Sequence, residues 1–309
     1  MSKNKKQHFI PRCYLKAWCD PSCPPNQTPY IWVYEKDSRE GRRKVPDNVF
    51  HETDMYTIHD EAGNRDLKIE HGLSQLESMF TTIRNKKFNF KRELDQEEHF
   101  SICVFIAAMH ARTRCQLDHI SDQWRRPLEM ADDLAEGMKT ATEEQKRSMA
   151  RSSILGSSDK NRSFTHEQVR GIVENPVGIM LLPTIRTLAP LLEKLDFAIL
   201  YADPLQGFIT TDSPCVWFDP EAYRRPPLYR GPALMYETIE ITLPISPSQC
   251  ILLNRQGLNG YLEVNENVVK ELNRRHRFHA YKSYVVNQGD VDEAWFGQGV
   301  KPEDGREKQ

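Results

Sequence analysis

Four segments of the sequence set polar groups capable of chemistry among apolar neighbours. The first is Gln7-His8-Phe9-Ile10-Pro11-Arg12-Cys13-Tyr14-Leu15. His8 carries the side chain best suited to moving a proton near neutral pH. In so apolar a setting it equally fits a structural histidine with satisfied ring nitrogens. The second is the pair Glu70 and Glu77, which project from one side of a helix beside an apolar stripe. Partial desolvation there raises a carboxyl pKa and suits it to acid/base work; the plainer reading is a solvated helix edge. The third is His110 with Arg112, at the end of an apolar run. Arg112 either caps a helix or offers its planar fork to a carboxylate or phosphate. The fourth is Gly207-Phe-Ile-Thr-Thr-Asp212-Ser213-Pro214. Asp212 either bonds local backbone in a turn or stands as a fixed carboxylate at a sheet rim.

The surrounding periodicity places these residues on elements. Tyr30 to Tyr34 and Met55 to Ile58 read as strands, and Asp37 to Asn48 reads as a loop. Ile69, Leu73, Leu76, Phe80 and Ile83 alternate spacings of four and three, which predicts one apolar helical face over 66–87. A second helix is expected from Asp95 to Leu117, opened by Asp95 and Glu98 as a capping box and buried at its centre. Trp124 to Lys139, Glu143 to Ile154 and Thr165 to Val173 read as further helices, with a loop over 155–163. Pro176 to Leu195 is apolar, but Pro183 and Pro190 should kink or divide it. Short strands follow at 197–201, 207–211, 216–218, 236–243, 249–254 and 281–286, with a helix from Asn265 to His279.

That order implies an α+β fold: a mainly antiparallel sheet formed from both chain ends, with a helical middle. Residues 1–65 would give N-terminal strands and loops of the sheet, 66–195 the helical region, 196–288 the strands and helix that complete it, and 289–309 a tail. A separate helical domain over 66–195 is the alternative.

Composition narrows the function. The 309 residues carry 42 Lys and Arg against 44 Asp and Glu, a net charge of −2, so no global basic excess marks a tail-driven nucleic-acid binder. A local basic groove stays open. The longest apolar run, Ile102 to Met109, is far short of a membrane span, and Gln7 and His8 stand where a signal peptide needs apolar residues. No membrane partner and a cytoplasmic location are expected. Seven cysteines argue against a disulfide framework, and the spacing of Cys13, Cys19 and Cys23 does not suit zinc. No metal site and no cofactor are expected. The phosphate-loop, dinucleotide, His-Glu-x-x-His and Gly-x-Ser-x-Gly signatures are all absent.

The four segments also carry a resemblance. The Gln7 to Leu15 stretch resembles the opening motif of a bacterial domain-of-unknown-function family, number 4238. The likeness continues in order through Ile69-Glu70 with Glu77, Arg112-Thr113, Thr211-Asp212-Ser213-Pro214, Leu243 to Pro247 and Asn273. It implies a bacterial or phage-related soluble protein in which His8, Glu70, Arg112 and Asp212 are worth suspecting as one site.

The chemistry of those residues leads to a hydrolase acting on nucleic acid, with DNA the expected partner. Isolated acids, rather than a dense acidic ligand set, tilt the reading toward cleavage of an N-glycosidic bond, as in a DNA glycosylase. Asp212 would position water or stabilise a sugar cation, and His8 or Glu70 would assist proton transfer. Arg112 would hold a phosphate, with Tyr14, Arg12 and Ser213 completing the substrate-binding set. Basic runs at 3–6, 39–44, 86–92 and 274–277 could rim the site, with Trp18, Phe88, Phe90 and Tyr229 nearby for stacking. A metal-dependent nuclease and a non-enzymatic phage-defence sensor or binding module remain the alternatives.

Overall fold

The computed structural model describes residues 6–59, 64–148, 164–203 and 207–297. The N-terminal part forms β1 (Lys6–His8), the single turn α1 (Arg12–Leu15), β2 (Ile31–Glu35), β3 (Gly41–Lys44), β4 (His51–Thr53), β5 (Ile58–His59) and β6 (Arg65–Asp66). The middle is helical: α2 (Lys68–Lys86), α3 (Gln96–Ala111), α4 (Arg114–Thr140), α5 (His166–Glu174) and α6 (Pro176–Leu192). The last part holds β7 (Asp196–Tyr201), β8 (Thr210–Thr211), β9 (Val216–Phe218), β10 (Glu240–Ser246), β11 (Gln249–Asn254), β12 (Gly260–Glu263), α7 (Glu266–His279) and β13 (Ser283–Val286).

The fold is α+β with a helical middle. One four-stranded sheet, in the order β3-β2-β13-β8, joins strands from both ends of the chain, all antiparallel. A second, five-stranded sheet is drawn from the C-terminal part alone, in the order β12-β7-β11-β10-β9. Strand alternation gives this sheet two apolar faces. Ile199, Ile241, Leu243, Ile251 and Leu253 belong to the main core with α1, α2, α3 and α6. Ala198, Leu200, Cys250 and Leu252 instead meet Val269 and Leu272 of α7. Because successive strand side chains point to opposite faces, one hydrophobic run can serve both layers.

The stripe on α2 is buried as its spacing requires, at Ile69, Leu73, Phe80 and Ile83. Phe80 stacks on Phe105 of α3, ring centroids 3.9 Å apart and planes within 2°. Truncating Phe105 to alanine would cost about 3–5 kcal/mol, because the lost contact leaves a cavity between two rigid helices. Asp95 opens α3 with a full capping box, and Thr165 opens α5 with another.

Several elements depart from the periodicity. The helix expected to run to Leu117 stops at Ala111, because Thr113 turns out of it and caps α4 through Gln116 N–H. The α6 helix runs through Pro183 and Pro190 undivided. Each proline removes one backbone bond, but Leu181, Ile185, Ala189 and Leu192 stay packed in the main core beside α3. The expected loop 37–48 contains β3, which pairs with β2. Gly41 permits that pairing, since a Cβ there would overlap the Tyr34 ring. The expected strand 55–58 is mostly turn, entered through Asp54 at φ 56°, and only Ile58 joins β5. Gly207 to Ile209 is irregular, and only Thr210 and Thr211 form a strand. Of the helix expected at 143–154, residues 143–148 are helical and the rest lies outside the described residues, as does the expected loop 155–163. Among the described residues, no helix is long and apolar enough to cross a membrane.

Candidate active site

The β1 strand, the turn at 46–48 and one face of α2 enclose an open cleft of about 640 Å³. Its position follows from a short ribbon. β1 pairs with β4 so that Gln7 opposes Glu52 and His8 opposes His51. Gln7 is buried, donates to Thr57 Oγ1 at 3.0 Å and accepts from the Tyr56 N–H. With Gln7 fixed on the inner side, alternation sends His8 the other way, to the cleft wall.

The His8 ring meets His51 edge-on with centroids 5.3 Å apart. Burial, with His51 and Arg12 adding to it, holds its pKa down to about 4 against a weaker opposing pull from Asp47. His8 is therefore neutral at pH 7, and its buried Nε2 has no hydrogen-bond partner. A neutral ring nitrogen with a free lone pair is a proton acceptor.

Glu70, Ser74 and Glu77 follow one another at helical spacing on α2 and line the same cleft. Burial raises the Glu70 carboxyl pKa, the Gln7 amide lowers it in part, and the charge of Glu77 raises it again. Glu70 Oε2 is buried with no hydrogen-bond partner. Glu77 Oε1 accepts from Arg112 Nη1 at 2.9 Å. Arg112 ends α3 at 1% exposure; its Nη2 lies 3.2 Å from Met109 Sδ and its Nε has no partner. At the cleft mouth, Lys6 Nζ donates to Asn48 Oδ1 at 2.8 Å and Arg12 pairs loosely with Asp47 at 3.2 Å.

The cleft thus brings His8, Glu70 and Arg12 together and reaches Arg112 through Glu77. Arg112 is a buried partner of a carboxylate, not an exposed phosphate clamp. Tyr14, Asp212 and Ser213 do not line the cleft. Tyr14 is wholly buried, its hydroxyl bonding Thr210 Oγ1 at 2.7 Å and donating to the Pro244 carbonyl. Asp212 accepts three backbone N–H groups, from Tyr281 at 2.8 Å, Lys282 at 2.7 Å and Ser283 at 2.9 Å. Burial raises its pKa and those three donors oppose the rise. Its carboxylate ties the end of β8 to the start of β13, and Ser213 continues that turn with its N–H on Thr211 Oγ1. Among the described residues, no group of three or more His, Cys, Asp or Glu side chains is placed to hold a metal ion.

The model of a family described as protein of unknown function (DUF4238) matches residues 6–290. The chain belongs to that family. The DUF4238 match begins at Lys6 and so takes in every residue of the cleft. Comparison with curated proteins and with solved structures gives no match. Asp47, Asn48 and Tyr56 complete the DUF4238 cleft without any sequence signal of their own. They come from turns, where no periodicity marks which way a side chain faces.

Proposed function

We propose that this protein is a hydrolase acting on nucleic acid at the His8–Glu70 cleft, and that it breaks an N-glycosidic bond. The observation that carries the reading is a neutral, partly buried histidine facing the same cleft as a glutamate of raised pKa, with Lys6 and the Arg12–Asp47 pair also on its lining. Two groups whose surroundings push their protonation apart are suited to acid and base roles. Lys6 and Arg12 would contact phosphates, and a flipped nucleotide would enter a cavity of about 640 Å³, within the usual ligand-site range.

In this scheme Glu70 gives its proton to the departing base as the C1′–N bond breaks and the bonding pair leaves with the nitrogen. A water oxygen then bonds C1′, and His8 takes the water proton. The step leaves His8 protonated and Glu70 ionised; His8 then releases its proton to solvent and Glu70 takes one up from solvent, which restores the starting state. DNA is the favoured substrate, and removal of bases from phage DNA would make the protein a defence component.

The test uses single- and double-stranded DNA, including DNA with modified bases, with and without chelator; RNA, which alkali itself breaks, is assayed for released free base. Breaks that appear only after alkali, and that Glu70→Gln lowers by about a hundredfold or more, are the expected result. Direct, chelator-sensitive breaks would establish a nuclease instead. Binding without any cleavage would leave a sensor module.

A further inference from the structure

Glu77 and Arg112 have no part in the proton transfers above, yet Glu77 lines the cleft and is bonded to the buried Arg112. Arg112 is 1% exposed and Glu77 lines the cavity, its side chain 26% exposed. The pair is a poor structural device. Two charges withdrawn from water regain the cost only with excellent geometry and full hydrogen bonding. Here one guanidinium donor meets a thioether sulfur and Nε meets nothing. Apolar side chains could join α2 to α3 at that point, as Phe80 and Phe105 do elsewhere on the same two helices. What the pair adds is direction. The positive end is buried, and the negative end lines the same cavity as Glu70 and His8.

We propose that Glu77, held in place by Arg112, is a fixed anion that stabilises positive charge on the sugar of the bound substrate. The proposal rests on the N-glycosidic reading of the cleft and deepens it. As the C1′–N bond breaks, the sugar ring becomes an oxocarbenium-like cation before water arrives. A carboxylate that cannot turn away costs no reorganisation at that moment. The Arg112 charge does not cancel it, because Coulomb energy falls with distance and the carboxylate is nearer the cavity. Arg112 is the positioning residue, acting on the substrate only through Glu77. The division of labour between the two glutamates follows: Glu70 moves a proton, and Glu77, bonded to Arg112, faces the sugar.

Binding of charged and neutral sugar mimics tests this without knowledge of the base. One DNA oligonucleotide carries a pyrrolidine, cationic at neutral pH, in place of one deoxyribose; its control carries a neutral tetrahydrofuran. The wild-type protein should prefer the cationic site by about tenfold or more. Glu77→Gln should abolish the preference, and Glu70→Gln should keep it. Since Glu77→Gln leaves a buried arginine unpaired, the double variant Glu77→Gln with Arg112→Met guards against misfolding, and it too should bind both oligonucleotides alike. Equal binding of both by the wild-type protein, or a preference that survives in the Glu77 variants, overturns the fixed-anion role while alkali-dependent cleavage still upholds the glycosidic reading. Failure to bind either oligonucleotide, with no alkali-dependent cleavage, overturns that reading and this proposal together.

Discussion

Tyr34 and Tyr284, from opposite ends of the chain, stack face to face across β2 and β13 with ring centroids 5.0 Å apart and planes within 12°. The pair closes the four-stranded sheet from one surface, and both hydroxyls are used. Tyr34 donates to the Gly289 carbonyl at 2.7 Å and Tyr284 to the Ser38 carbonyl at 2.9 Å. Truncating either ring to alanine should cost about 3–5 kcal/mol. A double-mutant cycle followed by denaturant unfolding should return a coupling of about 0.5–1.5 kcal/mol, the usual worth of a well-placed aromatic pair. Additive effects would mean that each ring packs independently.

The Glu77–Arg112 pair makes a stability prediction apart from its chemistry. Glu77→Gln alone strands the Arg112 charge and should cost about 3–5 kcal/mol. Adding Arg112→Met should recover most of that loss, since no buried charge then remains. Thermal unfolding of the wild type and the two variants checks this; a double variant no better than the single would mean that the ion pair is itself a net source of stability.

Asp212 should matter to folding and not to turnover. Asp212→Asn replaces one accepting oxygen with a donor that faces backbone N–H groups, disrupting at least one of three bonds. A loss of roughly 1–3 kcal/mol is expected for each buried donor left unpaired. Activity per folded molecule should stay near wild type, measured as alkali-dependent cleavage normalised to the folded fraction. A large fall in that normalised rate would return Asp212 to the reaction.

Salt dependence reads the roles of Lys6 and Arg12 directly. Lys6 and Arg12 are exposed and stand at the cleft. If each neutralises one phosphate, changing both to alanine should flatten the slope of log K against log salt by about 1.4–1.8, according to strand type. Fluorescence anisotropy at several salt concentrations measures it. An unchanged slope would place the phosphate contacts elsewhere.

Stability should fall on mild acidification, and His276 is one cause. Burial holds its pKa down to about 3, with His279 and Arg275 adding to the effect, and its Nε2 lies 3.1 Å from Thr242 Oγ1. The unfolded chain binds this proton near pH 6.5, whereas the folded chain does not until near pH 3. The stabilisation is therefore complete above pH 6.5 and is lost as pH falls toward 3. His8 and His110, both held near 4, act with the same sign. Unfolding free energies at pH 4–7 should show His276→Gln shallower than wild type by about 1.4 kcal/mol per pH unit, the slope of one proton.

Features set by near neighbours are legible in the sequence alone. The α2 stripe from Ile69 to Ile83, the capping boxes at Asp95 and Thr165, and the Asn265 cap of α7 all depend on side chains within a turn of one another. The placing of Glu70 and Glu77 on one side of a helix is equally local, as is the choice of His8 as a proton-transfer candidate.

Tertiary structure alone decided what those residues meet. Whether Arg112 faces solvent or Glu77 depends on how α3 packs on α2. Whether Asp212 is a reactive carboxylate or a clamp depends on where the turn before β13 arrives, some seventy residues later in the chain. The parallel pairing of β12 with β7, and the passage of α6 through two prolines, were likewise settled by packing. Sequence spacing fixes which way a side chain leaves its own element. Its burial, its partners and so its charge belong to whichever distant segment is packed against it.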